Sequence, residues 1–69
     1  MDRLAEAIQH LNLALRQRPQ SVEARLALGE ALRRAGRTAE AQTQLREVLR
    51  LDPQNQSAAA QLRSLPERK

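Results

Sequence analysis

The apolar residues of this chain fall into four runs with the period of an α-helix. Leu4, Ile8, Leu11 and Leu15 stand at i, i+4, i+7 and i+11, which gives one stripe along a helix over residues 2–17. Ala7 and Ala14 widen that stripe with small residues, whereas Leu13 falls on the opposite side. Ala24, Leu28, Ala31 and Leu32, with Ala27 beside them, make a second stripe ending near Arg34. Ala41, Leu45, Val48 and Leu49, then Leu51, make a third. Ala58, Ala59, Leu62 and Leu65 make a shorter fourth, over residues 56–65. No stretch alternates apolar and polar residues at the period of a strand. The pattern predicts an all-α chain.

The punctuation agrees. Pro19 and Pro53 cannot continue a helix, and Pro66 closes the last run. Gly36 suits the left-handed position just past a helix C-terminus. Asp2, Ser21, Thr38, and either Asn55 or Ser57 are expected as N-caps, because their side-chain oxygens can accept from the free N–H groups of the first turn. Glu6, Glu23 and Glu40 sit near positive helix ends, and Arg16, Arg34 and Arg50 near negative ones. Gly29 in mid-helix costs about 1 kcal/mol relative to Ala, which predicts that another backbone approaches there. Connections this short force neighbouring helices to run antiparallel.

The runs also repeat. Displaced by 34 positions, Ala5, Glu6, Ala7, Leu11, Leu15, Arg16, Pro19, Gln20, Ala24 and Leu28 meet identical residues. Arg3 and Arg34 do the same. A fixed period of this length signals an array of helical hairpins.

Within residues 22–55, Arg25-x-x-Leu28-Gly29-x-x-Leu32 is followed by Ala41, Leu45, Val48 and Pro53. This segment resembles a tetratricopeptide repeat, with the family's spacing kept throughout. The departures are chemical. Leucines stand where the family places aromatics, and Arg25 stands where it places Trp. Residues 2–17 resemble the second helix of a preceding repeat. Residues 56–65 resemble the first helix of a following one, or the capping helix common in the family. The resemblance implies one domain over residues 1–69, folded as antiparallel helix pairs stacked into a short right-handed α-solenoid.

It also implies a protein-interaction scaffold whose concave face takes an extended peptide or a partner helix. Carried onto this chain, that face is Glu23, Leu26, Glu30, Arg33 and Arg34, with Ser57, Ala60 and Ser64 on the next wall. Chaperone-binding members grip a peptide's terminal carboxylate with Lys and Asn. Leu26 and Glu30 occupy two of those places here, which argues against that mode.

Composition sharpens this picture. The chain has 69 residues without cysteine or aromatics, so no disulfide can staple it and Leu, Ile, Val and Ala must build the core. Hairpin units bury their apolar faces by stacking on neighbours. One full repeat with two halves leaves the first helix lacking a partner. Leu4, Ile8, Leu11, Leu13 and Leu15 are therefore expected to mediate self-association, most simply as a two-fold homodimer. A swap opening at Gly36 is the other route to it.

The net charge of +4 is mild and interleaved with acids. Arg33, Arg34 and Arg37 form the densest basic cluster, and read most simply they complement a helix end. With no aromatic residue to stack bases, an arginine-rich nucleic-acid binder is the weaker alternative, behind a pure self-assembly module. His10 is the single histidine and reads as a solvated side chain. No residue set suggests a cofactor, a metal or catalysis. No signal peptide or spanning segment is visible in the sequence, so a cytoplasmic protein is the expectation.

Overall fold

A computed structural model describes residues 3–65. It contains four helices: α1 (Arg3–Gln17), α2 (Val22–Arg34), α3 (Thr38–Leu51) and α4 (Gln56–Ser64). Helix α2 is the hub. It packs against α1, α3 and α4, and α3 packs in turn on α4. The α2–α3 hairpin is the most extensive contact, as expected of the one complete repeat. The expected cap at Asp2, the stop at Pro66 and the polar tail lie outside the described residues.

The core follows the three longer stripes. Ile8 and Leu15 from α1 meet Leu28, Ala31 and Leu32 from α2, then Ala41, Leu45 and Val48 from α3, with Ala58 and Leu65 at the far end. Ala41, Leu45, Val48 and Ala58 are completely enclosed, so the density is greatest where α2, α3 and α4 meet. A fully buried Leu or Val contributes about 1.5–3 kcal/mol relative to an exposed one. With no aromatic side chain available, that is the largest contribution open to any core position here.

Each connection has a chemical reason. Between α2 and α3, the Arg37 amide donates to the Leu32 carbonyl (2.9 Å) and the Gly36 amide to the Arg33 carbonyl (3.0 Å). This paired closure needs a left-handed residue, and Gly36 supplies it at φ +81°. The Ala24 amide donates to Ser21 Oγ (3.2 Å), and the Ala58 amide to Asn55 Oδ1 (2.8 Å), so Ser21 and Asn55 cap α2 and α4. Of the two expected caps for α4, Ser57 is instead inside the helix.

Thr38 does not cap α3, contrary to expectation. It is the first residue of that helix, and Arg37 holds the cap position with no side-chain capping bond. The tight closure at Gly36 already turns the chain, and the Arg37 carbonyl accepts directly from the Ala41 amide (3.0 Å). An ion pair between Arg37 and Glu40 (2.7 Å) reinforces this first turn.

Gly29 is buried, and a Cβ placed there would lie 2.9 Å from Leu45 Cδ2 and 3.0 Å from its Cγ. The Ala41 carbonyl oxygen is farther, at 3.7 Å. A close approach therefore explains the glycine, but a leucine side chain makes it rather than a backbone. Two alanines also depart from expectation. Ala14 and Ala27 are exposed, because each lies on the edge of its helix that no other helix covers.

Candidate interaction faces

Among the described residues, three of the surfaces left outside the core carry grooves or ordered rows of side chains. The first runs along α2. Glu23, Leu26, Glu30 and Arg33 follow i, i+3, i+7, i+10, and successive residues turn by about 100°, so they share one side of the helix with Arg34 at its edge. That side is turned from the α3 contact made by Gly29 and from the core residues Leu28 and Leu32. Glu23 and Arg34 are exposed, while Leu26, Glu30 and Arg33 are half-buried. Leu26 rests against the core cluster. Ser57, Ala60 and Ser64 repeat the same spacing on α4, and all three are exposed. α4, which carries this second row, packs against α2.

The electrostatics of this face are balanced. The Glu30 carboxylate lies 3.3 Å from Arg34 Nη2 and 3.9 Å from Arg33 Nη2. Glu23 is the second acid in the row. Arg37, the third member of the basic cluster, is engaged by Glu40. Each arginine of the cluster therefore has an acid within reach, with Glu30 shared between Arg33 and Arg34, so the three cations keep one net positive charge. Such exposed pairs add little stability, at most about 1 kcal/mol each. One unusual atom is Arg33 Nε, which is buried without a hydrogen-bond partner.

The second surface is the outer edge of α1, and here the five residues expected to self-associate are divided. Ile8 and Leu15 are enclosed in the chain's own core. Leu4 and Leu11 are half-buried, with one flank on the core and the other on an open cleft. That cleft, about 270 Å³, runs between α1 and α2 and is lined by Leu4, Ala7, Leu11, Ala27 and Ala31, with Glu30 and Arg34 at the rim. Leu13 is 56% exposed, among Gln9, Asn12 and Arg16 on the opposite face of the helix.

The third is a groove of about 170 Å³ between α1 and α3. Ile8, Leu28 and Leu32 form its floor, and Asn12, Arg37, Glu40, Thr43 and Gln44 its walls. The sequence pattern did not point to it, since it arises only because α1 and α3 straddle α2 without closing on each other.

Sequence reasoning also missed what Arg25 does. Its Nη1 donates to Gln44 Oε1 (3.0 Å) on α3, and its Nη2 to the Pro19 carbonyl (2.6 Å) in the preceding turn. It thereby ties α2 to α3 and to the end of α1. A polar residue at Gln44, one turn from the buried Val48, was the available signal. On α3, Arg50 Nε donates to Glu47 Oε2 (2.7 Å), and this hydrogen bond holds the Glu47 carboxyl below its ordinary pKa.

These features (four helices around the Leu28-Gly29 hairpin, with residues recurring at 34 positions) coincide with a comparison across families. The tetratricopeptide repeat family model matches residues 1–65. The chain belongs to the tetratricopeptide repeat family. It is a helical-repeat solenoid of antiparallel helix pairs, and the family as a whole mediates protein–protein interaction without catalysis. No curated protein and no solved structure matches the chain.

Among the described residues, no three His, Cys, Asp or Glu side chains come together in a way that would hold a metal ion. His10 is exposed. No helix among them is long and apolar enough to cross a membrane.

Proposed function

We propose that this tetratricopeptide repeat chain is a non-catalytic scaffold that binds a peptide or a partner helix on the face of Glu23, Leu26, Glu30, Arg33 and Arg34. Ser57, Ala60 and Ser64 form the facing wall. The observation that carries the reading is the division of labour on α2. One side of this helix supplies Leu28, Gly29, Ala31 and Leu32 to the core. The other keeps a row of acceptors and donors around Leu26, which rests on the core and stays half-buried. A neutral, mixed-charge row suits a guest that is itself mixed, with an apolar side chain seated on Leu26 and polar groups alternating between Glu30 and Arg33. Basic or acidic guests gain nothing by charge alone.

The test is selection of displayed peptides on the intact chain, followed by titration into Leu26→Asp and Arg33→Glu. Peptides that use this face lose affinity for both variants, by at least about tenfold for each well-packed contact removed. Equal affinity for all three proteins would place the guest elsewhere and overturn the reading.

The same proposal includes self-association through α1, for which the open α1–α2 cleft is the supporting feature. An arginine-rich nucleic-acid binder is the weaker reading. Such a binder would lose affinity steeply with salt, and here Glu30 and Glu40 offset two of the three positive charges in the densest cluster.

A further inference from the structure

The charges along the α2 row are ordered from one end to the other. Glu23 stands at the N-terminal end, exposed, and its carboxylate has no ion pair or hydrogen bond among the described residues. Arg33 and Arg34 stand at the C-terminal end with Glu30 between them and Leu26. Glu30 lies 3.3 Å from Arg34 Nη2 but 3.9 Å from Arg33 Nη2, which is beyond hydrogen-bond reach. One acid shared by two arginines leaves a positive charge at this end, and the longer contact leaves it chiefly on Arg33.

Arg33 is also the under-bonded side chain of the row. Every nitrogen of a guanidinium is a donor, yet this one makes no hydrogen bond among the described residues. Its Nε is enclosed, so the stem is pinned against the protein. The two Nη groups are not enclosed, and the side chain is 38% exposed. A cation held in this way presents a planar fork to solvent, and the group that matches such a fork is a carboxylate.

The row on α4 favours an extended guest. Ser57, Ala60 and Ser64 are short and exposed, so a guest's backbone can come close to their hydroxyls. An extended segment has backbone N–H and C=O groups free to meet them, whereas a helix pairs its own. Distances along α2 then set the guest's pattern. Leu26 and Arg33 are about 10 Å apart along the axis, and Glu23 lies about 4.5 Å beyond Leu26. An extended chain advances about 3.3 Å per residue, so these spans take about three residues and about one.

We propose that the guest is an extended segment with a fixed charge order: an apolar side chain seated on Leu26, a side-chain carboxylate about three residues to one side that pairs with Arg33, and a basic residue close on the other side that pairs with Glu23. This rests on the α2 face being the binding face, and it specifies what that face selects.

The test uses the intact chain and a displayed library of internal segments, each with one fixed leucine and randomised flanks, so that no terminal carboxylate is offered. Enrichment is expected for Asp or Glu about three positions from the leucine, with Lys or Arg on its other side. An enriched segment titrated in solution should lose more than about tenfold in affinity for Arg33→Glu and regain it when its own acid is changed to Lys. Arg33→Gln, which keeps most of the stem, should lose the preference for the acid without gaining one for Lys. Circular dichroism checks that each variant stays helical. Segments that need Leu26, by their loss of affinity for Leu26→Asp, but show no such charge order leave the α2 face standing and overturn this inference. So do segments that prefer the acid equally in Arg33→Gln and the parent chain. A library that yields no binder, or only binders indifferent to Leu26→Asp, overturns both it and the reading it rests on.

Discussion

Replacing Gly29 with alanine sets two known effects against each other. In an exposed helix interior the change stabilises by about 0.8–1.0 kcal/mol through propensity. Here the new methyl would lie 2.9 Å from Leu45 Cδ2 and 3.0 Å from Cγ. Leu45 is completely enclosed, so it can move aside only by pressing on its own neighbours. Forcing an extra methyl into a well-packed interior costs about 1–3 kcal/mol. The overlap wins, and Gly29→Ala is expected to destabilise by about 1 kcal/mol net, with a fall in Tm of about 4–8 °C for a domain of this size. The assay is thermal unfolding of a double-mutant cycle with Leu45→Ala, run in a stabilising osmolyte so that all four proteins remain folded. On the Leu45→Ala background the methyl enters the vacated space, and Gly29→Ala should become neutral or stabilising. If Gly29→Ala raised Tm equally on both backgrounds, close approach would not be the reason for the glycine and the packing described here would be wrong.

Three further outcomes follow from local chemistry. Ser21→Ala and Asn55→Ala each remove an observed capping bond and should cost about 1 kcal/mol in chemical denaturation, whereas Thr38→Ala should fall well short of that. Arg25→Ala loses bonds to Gln44 and to the Pro19 carbonyl, so it should destabilise by about 1–2 kcal/mol and couple to Gln44→Ala in a cycle. The Glu47 carboxyl is depressed by its hydrogen bond from Arg50. Its contribution is therefore present above the ordinary carboxylate pKa and is lost as the pH falls through the lowered folded value. Glu47→Gln should flatten the acid limb of the stability profile and leave neutral pH little changed, because the pair is exposed.

The helical hairpin was legible in the residues because several independent signals coincide there. Periodicity, the glycine at 36 and the proline at 53 each mark the same boundaries, and helix lengths followed within a residue or two. Caps were less legible. Ser, Thr and Asn all accept an N–H equally well on paper, and only the backbone path after Gly36 decides that Thr38 begins its helix instead of capping it. Periodicity also gives the apolar side of α1 without saying which edge of it a neighbour covers. Ile8 and Leu15 went to the core, Leu4 and Leu11 to its margin and Leu13 to water, although all five are equally apolar. The latch of Arg25 depends on residues 19 positions apart, and no local rule sees such a pairing. The proposed binding row was readable from repeat spacing, but its internal charge balance needed the distances around Glu30.

The central proposal is that this chain associates with itself through the open edge of α1. Sedimentation equilibrium over a range of protein and salt concentrations tests this most directly. The apolar α1 contact predicts a mass rising from 7.8 kDa toward twice that value as concentration increases. It should tighten when salt screens two copies that each carry +4. A single mass of 7.8 kDa at every concentration and ionic strength would contradict it.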